Sequence, residues 1–134
     1  MTLILKKSDL QAVFEHCDRE YPNEACGILS GKEGRVEKIY RMTNAERSPS
    51  FYVMDPQEQF RVMKEMRQAG QELVGIYHSH TGGRAYPSAT DVDLAYYPEA
   101  VYLIISLLDK KNPMARGFRI RERKISEIAV NVYS

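Results

Sequence analysis

Leu73-Val74-Gly75-Ile76-Tyr77 is continuously apolar and runs without a break into His78-Ser79-His80. A run this short with no polar position has no face to offer to water, so it predicts a strand covered on both sides. Such a strand belongs in a sheet with further structure packed on it. It also delivers two histidines at its end, where active sites collect in mixed α/β sheets.

Residues 78–91 read HSHTGGRAYPSATD, which is H-x-H, seven residues, then S-x-x-D. The chain has three histidines, and two of them stand one residue apart. On extended backbone, side chains at i and i+2 share a face, so both imidazoles can reach one point. Asp91 brings an anionic oxygen across a loop that contains Gly82 and Gly83. Two imidazoles and one carboxylate suit a divalent transition metal. Three protein ligands leave one position open, which marks a catalytic rather than a structural site. The plainer reading is that Ser88-Ala89-Thr90-Asp91 is a capping box opening a short helix over 91–95. Capping leaves the paired histidines unexplained, so His78, His80 and Asp91 stand as candidate metal ligands.

A chain of 134 residues predicts one domain, residues 1–134, with a core that needs no disulfides. A net charge of +1 gives no electrostatic footprint for nucleic acid or an anionic membrane. The basic stretch Arg116–Lys124 alternates with apolar residues and reads as a solvated strand face. Leu3-Ile4-Leu5 is too short for a signal-peptide core, and Ala100–Leu108 falls short of a membrane span. Cys17 and Cys26 form no C-x-x-C pair. These features predict a cytoplasmic protein with neither nucleic-acid nor membrane partners.

Ser8 reads as an N-cap for a helix over 9–20, with Leu10, Val13, Phe14 and Cys17 on its buried face. Residues 25–30 and 36–42 read as strands joined by a turn at Gly31–Gly34. A polar loop at 44–50 is followed by an extended Phe51-Tyr52-Val53. Asp55-Pro56 opens a second helix, with an N-cap and then proline at the first position. Phe60, Met63 and Met66 are expected to face the core, and Gly70 to end the helix. Residues 101–108 read as another buried strand, and 114–121 with 125–132 as a closing pair. The alternation gives an α/β or α+β class, a mixed β-sheet flanked by helices.

Glu24, His78-Ser79-His80, Ser88 and Asp91 together resemble the JAMM (MPN-plus) metalloprotease family, whose pattern is an upstream glutamate followed by H-[ST]-H-x7-S-x-x-D. Glu24-Ala25-Cys26-Gly27-Ile28-Leu29 and the Asn44 to Pro56 region are similar to it as well. The resemblance implies a single cytidine-deaminase-like domain holding one zinc per chain at His78, His80 and Asp91. It further implies Glu24 as the base that handles the proton of the attacking water, and Ser88 as a hydrogen-bond donor to the developing oxyanion. Many members carry proline after the second histidine, and here that position is Thr81. Thr81 with Ala85-Tyr86-Pro87-Ser88 resembles the bacterial Mec-type subgroup. That subgroup removes cysteine from the C-terminus of a small ubiquitin-like sulfur-carrier protein in cysteine biosynthesis.

Several residues keep two readings at this stage. Ser79 lies on the face opposite the histidines and reads as structural. Cys26 reads as a small buried strand position rather than a nucleophile or fourth ligand. His16 reads as surface or partly buried. Arg84 and Tyr86 lie between the ligands, where they either touch substrate or simply decorate an exposed loop. A substrate tail is expected to dock as a strand beside an exposed sheet edge. The rival functions are a general ubiquitin-like isopeptidase, a non-catalytic scaffold of the same fold, and a non-haem iron enzyme. Oligomeric state is not readable from the chain.

Overall fold

The computed structural model describes residues 1–134. In chain order the elements are β1 (Thr2–Lys6), α1 (Lys7–Glu20), β2 (Cys26–Lys32), β3 (Arg35–Met42), α2 (Pro56–Gln68), β4 (Glu72–His80), α3 (Ala89–Asp93), β5 (Val101–Ser106), β6 (Met114–Arg121) and β7 (Lys124–Tyr133). The strands form one mixed sheet that closes on itself in the order β1-β3-β2-β4-β5-β6-β7. β4 runs parallel to β5 and β1 parallel to β7, while β2 is antiparallel to both β3 and β4. The expected mixed sheet with helices is therefore present, and closure is what the sequence did not announce.

Period-two alternation divides the strand side chains between two cores. One cluster gathers Leu29, Tyr77, Leu103 and Ile105 with Val13 and Cys17 of α1. The other gathers Ile28, Ile76, Tyr102 and Ile120 with Val62 and Met66 of α2. Central strands with an apolar residue on each face are thus covered from both sides. Each such side chain contributes about 2 kcal/mol of burial. Gly27 is required by this packing: a Cβ there would lie 2.1 Å from the Tyr77 ring.

Local signals mostly hold. Asp55 Oδ1 accepts from the amides of Gln57 and Glu58, capping α2, and Gly70 follows its end at φ 69°. Glu33-Gly34 and Glu122-Arg123 turn their hairpins with positive φ at both residues, which matches the twist of the flanking strands.

Two expectations are corrected, and one segment without an assigned element gains one. Leu3-Ile4-Leu5 belongs to a strand, β1, paired in parallel with β7. Because β1 runs straight into α1, the helix starts at Lys7, its N-cap is Lys6 without a side-chain bond, and Ser8 sits inside the first turn. Phe60 is 71% exposed, since the buried face of α2 carries Val62 and Met66 and Phe60 falls off that stripe.

No helix is long and apolar enough to cross a membrane.

Candidate metal centre

β4 carries the paired histidines and runs between β2 and β5. His78 pairs with Cys26 of β2, while Ser79 and His80 pair with Ile105 and Ser106 of β5. The rigid ladder puts both imidazoles on one face, with their Nε2 atoms 3.1 Å apart. Asp91 reaches them from the first turn of α3. Its Oδ1 lies 3.1 Å from His78 Nε2 and its Oδ2 2.9 Å from His80 Nε2.

The capping box aims that carboxylate. The Ser88 amide donates to Asp91 Oδ2 at 2.9 Å, and the Asp91 amide donates to Ser88 Oγ at 3.1 Å. The two readings of S-x-x-D are therefore compatible, because the cap fixes the side chain that meets the imidazoles. Ser88 Oγ only accepts in this arrangement, so its own proton is free to donate, and the residue is exposed.

Whether the cluster suits a metal is decided by its lone pairs. His80 Nδ1 donates to the Arg84 carbonyl at 2.8 Å. A carbonyl can only accept, so in the neutral ring Nε2 presents a bare lone pair to Asp91 and His78. The Asp91 carboxylate and the His80 lone pair thus face each other as two acceptors, which a cation would satisfy. Bonds of roughly 2.0–2.1 Å in a tetrahedral site put ligands about 3.3 Å apart. The separations of 2.9 and 3.1 Å approach that edge closely. The set fits a divalent ion. Burial works against the His80 cation, yet the hydrogen bonds to Asp91 and the Arg84 carbonyl outweigh it and raise its pKa. Burial of Asp91 is likewise outweighed by bonds to His78 and His80, which hold the carboxyl far below the usual range.

Glu24 stands two residues before Cys26, which pairs with His78, and lies near enough to His80 and Asp91 to feel both charges. Ser79 shapes this junction. The Ser79 amide donates to the Ala25 carbonyl at 3.1 Å, and the Ala25 amide donates to Ser79 Oγ at 2.8 Å. Ser79 is therefore structural, as expected. Asn44 steadies the same segment from behind, donating to the Glu24 carbonyl at 3.0 Å. Glu24 is 4% exposed, and its Oε1 is buried without a partner. Burial pushes its pKa up to about 8, with His80 opposing and Asp91 adding to the rise.

The remaining candidates separate clearly. Cys17 and Cys26 are buried free thiols, both pushed up to about 12 by burial, so neither is a ready nucleophile. His16 is not at the surface: it is 5% exposed, with Nδ1 2.6 Å from the Tyr77 hydroxyl. The helix stripe that placed Val13 and Cys17 inside also carries it inward. Arg84 lies over the Tyr86 ring at 4.7 Å, and Tyr86 packs edge-on against Phe118.

Sequence reasoning missed Tyr52, whose ring stacks on His78 at 4.7 Å. The extended Phe51-Tyr52-Val53 beside the polar loop was its only signal. Tyr52 also lines a largely apolar cavity of about 320 Å³ with Met54, Ile76, Tyr97 and Tyr102. A larger cavity of about 600 Å³ lies away from the cluster, between α1, β3 and α2.

The sequence and the fold have known counterparts. The family described as prokaryotic homologs of the JAB domain matches residues 6–121, and the chain belongs to it. Its relatives include the CysO-cysteine peptidase of Mycobacterium tuberculosis (strain ATCC 25618 / H37Rv), 45% identical over 132 residues, covering 97% of this chain and 90% of that one. The desampylase of Pyrococcus furiosus is 32% identical over 131 residues, covering 98% and 91%. Among solved structures, protein DSY2949 from Desulfitobacterium hafniense superposes with a TM-score of 0.87 at 36% identity, covering 100% of this chain and 94% of that one.

Proposed function

We propose that residues 1–134 work as a single zinc-dependent peptidase domain. In this reading the domain cleaves the C-terminal tail of a small ubiquitin-like sulfur carrier, releasing cysteine from a Gly-Gly-Cys adduct. The observation that carries the reading is the convergence of His78, His80 and Asp91 beside the buried carboxyl of Glu24. The relatives named as a CysO-cysteine peptidase and a desampylase support a JAMM-type hydrolase acting on tails of this kind.

His78, His80 and Asp91 would hold the ion, with the Arg84 carbonyl fixing the tautomer of His80. Zinc, when bound there, supplies a Lewis acid that acidifies water and polarises a carbonyl oxygen. Glu24 holds the attacking water and takes its proton as the oxygen bonds to the scissile carbon. The base is the carboxylate form of Glu24, which a cation held beside it would favour and which its shielding from solvent keeps close to the attacking water. As the C–N bond breaks, Glu24 passes the proton to the departing amine. Ser88 donates its free hydroxyl proton to the oxyanion. Glycines in the tail let its backbone approach where a side chain would clash.

The test is to incubate zinc-loaded protein with a carrier ending Gly-Gly-Cys and follow the carrier mass. Loss of one cysteine residue, blocked by a strong chelator, is expected. The desampylase relative favours a second reading, cleavage of isopeptide links to ubiquitin-like proteins. Efficient isopeptide cleavage with no release of cysteine would select it. Metal analysis of protein purified without chelator separates zinc from iron.

A further inference from the structure

Arg84 is a cation that the fold leaves without a counter-charge next to the cluster. The arginines of β6 and of the turn after it each have a carboxylate in reach, Arg119 and Arg121 sharing one. Arg116 is paired with Glu127, Arg119 and Arg121 with Glu99, and Arg123 with Asp93. Arg84 has no carboxylate in salt-bridge range, although it stands on the loop between His80 and Asp91 and is exposed. Its backbone is fixed to the cluster, because its carbonyl accepts from His80 Nδ1 at 2.8 Å. Its guanidinium is fixed too, lying 4.7 Å above the Tyr86 ring, itself held edge-on by Phe118 at 5.4 Å. An arginine laid on an aromatic face keeps its N–H fork free for a planar anion.

We infer that Arg84 reads the free α-carboxylate of the leaving residue, and so selects a single C-terminal amino acid over an internal or side-chain link. The inference rests on the peptidase reading above and names its specificity determinant. One residue spans no more than about 3.6 Å, so a carboxylate one residue beyond the scissile carbonyl stays close to the cluster. The guanidinium offers that group a two-pronged, charge-assisted hydrogen bond. An amide or an extended chain at the same place cannot accept the pair. Arg84 contacts substrate away from the reacting atoms, so its signature is discrimination rather than proton transfer.

The experiment compares two carriers, one ending Gly-Gly-Cys with a free carboxylate and one ending in the cysteine amide. Zinc-loaded wild type is expected to prefer the acid by about 30-fold in kcat/KM, the size of a lost charge-assisted pair. Arg84→Gln should bring the ratio close to one, mainly through KM, and Arg84→Lys should restore part of it. Arg61→Gln, on α2 and remote from the loop, should leave the ratio as in wild type. Binding of acid and amide tail peptides to chelator-treated protein gives a readout without turnover, and the acid preference there should also vanish in Arg84→Gln. Persistence of the preference in Arg84→Gln, or none in wild type, overturns the role of Arg84 while cysteine release stands. Isopeptide cleavage with no cleavage of either carrier overturns the parent reading and the inference with it.

Discussion

The Ser79 hydroxyl replaces a rung of the β2–β4 ladder. Where the Ala25 amide would meet the Ser79 carbonyl, it donates instead to Ser79 Oγ at 2.8 Å. The exchange lets the chain leave β2 without losing a buried hydrogen bond, and Glu24 is the next residue out. Ser79→Ala should strand the Ala25 amide and destabilise the protein by roughly 1–3 kcal/mol. It should also slow turnover by loosening Glu24 while leaving metal content intact. Denaturant midpoints and metal analysis of the variant check both, and unchanged stability would remove Ser79 from this role.

His80→Ala and Asp91→Ala are expected to lose metal while keeping the fold, because the two cores lie elsewhere. Asp91→Ala also deletes half of the capping box, adding a local cost of about 1 kcal/mol. Metal stoichiometry alongside circular dichroism reports the outcome. Full zinc occupancy in either variant would show that the ion sits at other ligands.

Glu24→Gln should retain zinc and lose roughly 100-fold or more in rate. The carboxyl is buried with an unpartnered oxygen, so the substitution should not lower the thermal midpoint of chelated protein at neutral pH. Near wild-type turnover would assign the proton to another group.

Ser88→Ala separates capping from chemistry. If the hydroxyl meets the oxyanion, the rate falls on the order of 100-fold with zinc retained. The accompanying loss of the cap costs about 1 kcal/mol. Loss of zinc or a large drop in melting temperature, without the rate effect in the remaining loaded protein, would leave capping as its whole function.

His16 makes stability pH-dependent. Burial first, then Arg41 and Arg19, lower its pKa from 6.5 to about 4. The unfolded chain therefore takes up the proton first as pH falls. The stability from a neutral buried ring is present above pH 6.5 and is lost progressively down to about 4. The full effect is on the order of 3 kcal/mol. Urea midpoints from pH 4 to 7 should rise more steeply in wild type than in His16→Gln, and parallel profiles would rule the mechanism out.

The site was legible because its residues are chemically rare and regularly spaced. H-x-H on an apolar strand and a capping S-x-x-D each follow from local geometry. Glu24 was legible only through resemblance, since nothing about an isolated acid near a strand predicts a buried carboxyl. Tyr52 and the Arg84 carbonyl escaped because both act through long-range packing that leaves no local period. Closure of the sheet escaped for a similar reason. Leu3-Ile4-Leu5 gains its meaning only from β7, more than a hundred residues away. His16 was misjudged because its partner, the Tyr77 hydroxyl, lies 61 residues along the chain.

The histidines and Asp91 sit on parts of the fold with very different local stability. β4 is paired on both edges over most of its length, so its amides are expected to be among the slowest to exchange with solvent. Asp91 belongs to a five-residue helix tied down by its capping box, the Arg123–Asp93 pair and Val92 against the core, with no sheet ladder of its own. The cluster thus joins a slow-exchanging wall to a fast-exchanging arm. Hydrogen exchange is therefore expected to protect the strand that carries the imidazoles far more than the turn that carries Asp91.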